Sequence, residues 1–339
     1  MSKNSNIPKQ DKPLTIFITG GSSGIGYQAV IKLISLGYNI ILPCKNILRA
    51  NEVLTNIFNQ LPHSLSKKGD IATPIMDLSD LKSVDSLCNE LKKKRLKIDI
   101  LILNAGLQYT GSKRPRRSIQ DIELTFAVNH LAHFYLTQNL LPLINISNDS
   151  KIIITSSEVH NPSSSGGKVG LKASLGDLNG LASGSGFDMI DGSKFNADKA
   201  YKDSKLCNIL FAKELSNRLN KKKLPIKVIA WAPGLVISRD RQGFFRYSRK
   251  YNQIGQVLFA TLARDLLRIT TSNEKAGMLL TSLVCSDEYD RSDFNYYSNK
   301  IISPGKFIFE KTNISEEAQI EGLSNKLWYL SKSLIYDKI

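Results

Sequence analysis

Short, almost wholly apolar runs alternate with amphipathic stretches along this chain, and that alternation limits the fold more than any other feature. The apolar runs are residues 14–19, 39–44, 72–76, 98–103, 151–155 and 226–231; helical periodicity fills residues 27–35, 48–58, 81–94, 122–141 and 199–219 between them. A strand that is apolar on nearly every residue must be buried on both faces, as happens when helices cover both sides of a parallel sheet. The expected fold class is therefore α/β, a Rossmann-type doubly wound parallel sheet, whose ligands bind at the carboxyl ends of the strands. With 339 residues, 42% of them hydrophobic, the chain can form one such domain over residues 13–339. Residues 1–12 are polar and read as a flexible leader.

Two segments break the rhythm. Residues 161–198, rich in Gly, Ser and Asp, read as an insertion loop before the last long helix. Residues 238–272 combine Phe244, Phe245, Tyr247 and Tyr251 with Arg246 and Arg249, then an apolar stretch, and read as a substrate lid. Loops this long are usually functional, and both follow strands, so both are expected to overhang the ligand crevice.

The octet Thr19-Gly20-Gly21-Ser22-Ser23-Gly24-Ile25-Gly26 joins the first strand to the first helix. Gly20, Gly24 and Gly26 permit a tight turn and close backbone approach to a pyrophosphate, and the free amides and dipole of the helix start favour an anion there. Ser22, Ser23 and Ile25 complete the cradle. After the second strand, where an NAD-binding chain offers the ribose an acid, this chain has Lys45, with Arg49 a helical turn on. Two cations would attract a 2′-phosphate, so NADP(H) is the expected cofactor; the alternative is that both merely solvate a helix start. Asp77 and Leu78 follow the third strand and could hold the adenine, or Asp77 could cap a helix. Asn104, Ala105 and Gly106 close the fourth strand and would meet the cofactor through backbone groups.

Tyr201 and Lys205 lie four residues apart, on one face of a helix. Reduction needs a proton donor near the atom that gains charge, and a phenol becomes a useful acid at neutral pH only when a cation stabilises its phenolate. Lys205 could do so and also bond the nicotinamide ribose. The fifth strand ends in Ser156 and Ser157, either a substrate-orienting hydroxyl or a pair of turn serines. Asn129 sits in a helical stretch that it suits poorly, either bridging water to Lys205 or facing solvent.

The formal charge of +16 raises the question of nucleic acid or membrane partners. The basic residues are scattered and accompany no zinc spacing, recognition helix or aromatic RNA signature, so nucleic acid is not the expected partner. Cys44, Cys88, Cys207 and Cys285 show no paired spacing, which suits a reducing compartment, and no metal-ligand pattern is evident. No apolar run reaches the length of a membrane span. A cytoplasmic protein, at most peripheral to a membrane, is the expectation; the sequence is silent on oligomeric state.

Taken in order, TGGSSGIG, Asn-Ala-Gly at 104–106, the Asn129 motif, the 156–157 serines, YKDSK at 201–205 and Pro233-Gly234 resemble the short-chain dehydrogenase/reductase family across about residues 13–300. The resemblance implies a tetrad of Asn129, Ser157, Tyr201 and Lys205. It also implies a carboxamide contact for Ser238, just after Pro233-Gly234. Within the family, VNHLAHFYLT and SKLCNILFAKEL are similar to retinol-dehydrogenase-like enzymes. The long insertion, LGDLNGL at 175–181, MIDG at 189–192 and the 327–335 tail are more similar to light-dependent protochlorophyllide reductases. That resemblance implies an apolar or tetrapyrrole-like substrate and a place in chlorophyll biosynthesis. One departure stands out: those reductases carry a functional cysteine just after Pro-Gly, and here the position is Leu235, which has no acidic proton. Two readings follow, an NADPH-dependent reductase of a large conjugated C=C or C=O, and a pigment- or lipid-binding relative with weak chemistry.

Overall fold

The computed structural model describes residues 13–61, 69–237, 244–288 and 294–339. The described strands form one eight-stranded sheet in the order β3-β2-β1-β4-β5-β6-β7-β8. These are β1 (Thr15–Ile18), β2 (Asn39–Ile41), β3 (Ile71–Ala72), β4 (Ile100–Leu103), β5 (Lys151–Thr155), β6 (Lys227–Ala232), β7 (Asn295–Ser303) and β8 (Lys306–Lys311). All neighbours pair in parallel except β7 and β8. The order reverses between β1 and β4, and a crevice opens where the connections leave that switch point in opposite directions.

Two-residue periodicity divides the apolar strands between two cores. Phe17, Leu101, Leu103, Ile152, Ile154, Val228 and Ala230 face one core, together with α3 (Leu81–Lys93), α5 (Ala132–Leu140) and α7 (Ala197–Lys221). Ile16, Ile18, Ile100, Ile102, Ile153, Ile229 and Trp231 face the other, with α1 (Gly24–Ser35), α2 (Ile47–Gln60) and α10 (Asn273–Cys285). Each fully buried Ile or Leu contributes about 1.5–3 kcal/mol, so both helical layers are needed to hold strands apolar on either side. Helices α1 and α10 pack closely: a Cβ on Gly277 would stand 2.6 Å from Cβ of Gln28.

Three expectations are corrected. The helix expected over 122–141 is interrupted. The Glu123 carboxylate accepts from the Thr125 and Phe126 amides, so α4 (Leu124–Phe126) starts later than expected, and a π-helical turn, Ala127–Leu131, separates it from α5. The third strand is two residues long; the rest of its run meets β2's extension only through a bridge between Cys44 and Ile75. The insertion is not mainly an overhang. Leu175, Leu178, Leu181, Phe187 and Ile190, around the short α6 (Asn179–Ala182), are buried in the same core as Leu327 and Trp328 of α11 (Leu323–Tyr336). Apolar residues on a loop follow burial as they do on a helix. Cys44, Cys88 and Cys207 are buried free thiols and Cys285 is an exposed one.

Candidate active site

The loops at the carboxyl ends of the strands surround a crevice of about 1650 Å³. That exceeds the ~300–1,000 Å³ of an ordinary small-molecule pocket. Gly20, Ser22, Ser23, Gly24 and Ile25 line one part of it, Lys45, Arg49, Asp77 and Leu78 another, and Asn104, Ala105 and Gly106 the floor. Ser157, Tyr201, Lys205, Pro233, Gly234 and Leu235 line the rest. Gly26 and Asn129 stand behind the surface, and Ser238 lies outside the described residues.

The glycine turn is dictated by contact. Gly20 has φ +67°, and a Cβ there would lie 2.7 Å from Ala105 Cα; a Cβ on Gly26 would lie 2.5 Å from the Gly20 carbonyl oxygen. At the start of α1, Ser23 makes no side-chain cap and no acid occupies the first turn. These amides suit an anionic oxygen. Arg49 reaches across from α2 to donate to the Ser22 carbonyl at 2.6 Å, so its charge sits beside the turn. Lys45 pairs with Asp77 at 3.0 Å and is largely exposed. The Asp77 carboxylate also accepts from the Ser79 amide and hydroxyl. Burial pushes its pKa up, but these bonds and Lys45 more than offset that and hold it low. Asp80, not Asp77, caps α3. Amide donors at a helix start and two cations at the β2 end together fit a phosphorylated dinucleotide.

The floor is stitched to β1 by Thr19. Its hydroxyl accepts from the Asn104 and Ala105 amides at 2.9 and 3.1 Å and contacts His133 Nε2 at 2.9 Å. His133 Nδ1 lies 3.2 Å from the Asn129 carbonyl, which can only accept, so the proton sits on Nδ1 and Nε2 accepts from Thr19. Burial pushes His133 down to about 3, so the ring is neutral at ordinary pH. Asn129 lies in the π turn, fully buried. Its Oδ1 accepts from the Leu107 amide, and its Nδ2 donates to the Leu107 carbonyl and to Ser204 Oγ. It does not face solvent, and no direct bond joins it to Lys205.

Helix α7 begins at Ala197 because Asn196 accepts from the Lys199 amide. Lys205 Nζ donates to the Thr155 carbonyl at 3.2 Å and lies 5.7 Å from the centre of the Tyr201 ring. Burial pushes Lys205 down to about 7. Burial also raises Tyr201, and a hydrogen bond with Ser157 works the other way. The expected lowering of the phenol by Lys205 does not show: burial is the main influence on Tyr201, and Ser157, not Lys205, opposes it. The two serines differ in their partners: Ser156 Oγ donates to the Lys205 carbonyl, whereas Ser157, on the crevice wall, bonds with Tyr201 and also accepts from the Val159 amide as a turn cap. Phe244 packs edge-on against Tyr201, ring centres 5.4 Å apart.

Sequence reasoning missed Thr19, His133, Ser204 and Trp231, whose indole N–H donates to Thr155 Oγ. Only His133 left a signal, its four-residue spacing from Asn129. It also missed Glu158, a crevice residue whose carboxyl burial pushes up. Two lysines clamp the insertion to α7. Lys199 Nζ meets Asp203, Asp191 and the Ser174 carbonyl; Lys202 Nζ donates to the Gly167, Val169 and Leu171 carbonyls. Among the described residues no group of three or more His, Cys, Asp or Glu is placed to hold a metal ion.

Residues 14–169 match the family model described as short chain dehydrogenase. The chain belongs to the short-chain dehydrogenase family and is an oxidoreductase. Among its relatives, protochlorophyllide reductase B of Oryza sativa subsp. japonica is 30% identical over 95% of this chain and 77% of its own. Protochlorophyllide reductase of Chlamydomonas reinhardtii is 30% identical over 98% of this chain and 80% of its own. Of solved structures, an uncharacterised protein of Mycobacterium paratuberculosis has a TM-score of 0.66 at 21% identity, covering 96% of both chains. The Pseudomonas aeruginosa RhlG/NADP active-site complex has a TM-score of 0.57 at 20% identity, over 86% of this chain and 95% of that one. At such identities these two show the fold alone.

Proposed function

We propose that this chain is an NADP(H)-dependent reductase that acts on a C=C or C=O bond of a large, apolar, conjugated substrate. The observation that carries the reading is the convergence of Tyr201, Ser157 and Lys205 on one crevice with the glycine turn, Lys45 and Arg49. The α1 amides would hold the diphosphate, Lys45 and Arg49 the 2′-phosphate, and Asp77 and Leu78 the adenine. Asn104 to Gly106, Pro233 and Gly234 would border the nicotinamide end. The bound dinucleotide supplies the hydride. Tyr201 gives its hydroxyl proton to the substrate atom that gains charge, Ser157 holds that atom or the phenol oxygen, and Lys205 lowers the cost of the phenolate. Asn129 keeps Leu107 and the start of the crevice loop in place.

The named relatives act as protochlorophyllide reductases, which supports a tetrapyrrole-like substrate and a role related to chlorophyll biosynthesis. Leu235 on the crevice wall favours a second reading, a retinol-dehydrogenase-like carbonyl reductase or a weakly catalytic pigment- or lipid-binding relative. Peripheral membrane contact belongs to the same proposal. No helix among the described residues is long and apolar enough to cross a membrane. However, α9 (Gln253–Ala260) exposes Ile254, Val257 and Leu258 while Gln256 and Phe259 line the crevice. An apolar substrate dissolved in lipid would enter over such a rim.

NADPH oxidation measured with protochlorophyllide in light and darkness, and with retinal in darkness, tests the reading. Turnover only in light supports pigment reduction, and dark turnover of retinal supports the carbonyl reductase. Tight binding without turnover overturns the enzyme. Tyr201→Phe is expected to lower the rate by about 10²–10⁴-fold.

A further inference from the structure

The lid and the loop after β4 place two guanidinium groups against a single ring. Cζ of Arg116 lies 4.7 Å and Cζ of Arg246 4.6 Å from the centre of the Tyr247 ring, and all three residues line the crevice. Arg116 is held rigidly. Its amide donates to the Tyr109 hydroxyl, its carbonyl accepts from the Leu124 amide, and one terminal nitrogen donates to the Tyr251 hydroxyl. Its Nε is buried and has no hydrogen-bond partner. Among the described residues neither guanidinium forms an ion pair. Neighbouring Arg117 differs, because Asp188, Asp121 and two carbonyls occupy it.

Two like charges stacked on one ring repel, and a buried N–H without an acceptor costs free energy; an anion bound at the guanidiniums would relieve both. The carboxylates on the crevice wall do not serve. Asp77 is bound to Lys45 and Ser79, Asp198 accepts from Thr110, and Glu158 adjoins Ser157. Arg246 is two residues from Phe244, whose ring packs on Tyr201, and the pair lines the same crevice as that phenol. Lys45 and Arg49 stand at the β2 end.

We infer that Arg116 and Arg246 form a subsite for an acidic group of the substrate, a carboxylate or a phosphate, so that the substrate is an amphipathic acid and not a neutral lipid. The planar fork of Arg116 suits two oxygens of such a group. The inference rests on the proposed reading that a large apolar molecule fills the crevice beside the dinucleotide.

Equilibrium titration of the NADPH-loaded full chain with retinoic acid, retinyl phosphate and methyl retinoate tests it, since the three share one apolar body. At least one acid is expected to bind tenfold or more tighter than the ester, and the stronger of the two identifies the anion. In Arg116→Gln and Arg246→Gln that preference collapses while affinity for the ester and for NADPH is unchanged; Arg116→Lys retains part of it. Equal affinity for all three probes, no binding of either acid, or a preference that survives both glutamine variants overturns the inference. Loss of NADPH affinity in Arg116→Gln also overturns it, because the guanidiniums would then serve the dinucleotide. A chain that binds acids selectively yet reduces nothing would sink the reductase reading and leave the subsite standing.

Discussion

Asn129 and Leu107 exchange hydrogen bonds in both directions, amide to Oδ1 at 2.8 Å and Nδ2 to carbonyl at 3.0 Å. A side-chain amide thereby does for the loop after β4 what a neighbouring strand would do, and the π turn presents it at the required angle. Asn129→Ala leaves a buried N–H and C=O unpaired, which should cost about 1–3 kcal/mol. The expected outcome is a lower denaturation midpoint with about a tenfold fall in kcat. Asn129→Asp should fare worse, since it sets a carboxylate against the Leu107 carbonyl. Urea unfolding and steady-state rates measured on the same preparations check both.

Lys45 and Arg49 should set the choice between phosphorylated and plain dinucleotide. Arg49→Glu removes a cation beside the Ser22 carbonyl and replaces it with a charge that repels a 2′-phosphate. KM for NADPH should rise about 10–100-fold, with KM for NADH little changed. An equal loss for both cofactors would mean that Arg49 serves the turn and not the phosphate.

Acid should unfold the protein through its histidines. Burial holds His130 and His133 down at about 3 and His160 at about 4, against an ordinary 6.5. A depressed folded pKa means that the unfolded chain binds more protons between these values. Stability is therefore full above pH 6.5 and falls as the pH drops toward 4, by up to about 1.4 kcal/mol per pH unit for each histidine. Thermal denaturation followed from pH 7 to pH 4 should show an early loss that is shallower in His133→Gln.

Vesicle contact through α9 should depend on its apolar side chains. Ile254 is 78% and Leu258 66% exposed, so aspartate at either is expected to change folding stability by less than about 0.5 kcal/mol. Flotation with anionic phosphatidylcholine–phosphatidylserine vesicles should fall severalfold in the double variant. Unchanged flotation would remove the membrane from the proposal.

The sequence was legible where a residue's neighbours in the chain decide its environment. Strands such as Ile100–Leu103 were readable because burial on both faces demands unbroken apolarity, and the glycine turn because no other residue fits against Ala105. The line-up of Ser157, Tyr201 and Lys205 followed from family resemblance and from their spacing together. Strand β7 escaped because its buried start, Asn295 to Ser298, is half polar and so presents no apolar run. The Thr19–His133–Asn129 chain escaped for the same reason: its members are 114 and four residues apart, and nothing local marks a polar side chain as a buried hub. Arg116 reads from the sequence as one more scattered cation, and only the fold sets Tyr247 and Arg246 against it.

Helix α7 carries the candidate pair Tyr201 and Lys205 and, within two residues of Tyr201, the Lys199, Lys202 and Asp203 side chains that fasten residues 161–198. The insertion is therefore no detachable ornament. Trimming it to the short connection of a smaller relative would strand the Asp203 carboxyl, which burial already pushes up to about 7, and unroof the hydrophobic residues beneath it. Shortening this loop therefore means rebuilding α7 with it, and a designer wishing to transplant one must move the other.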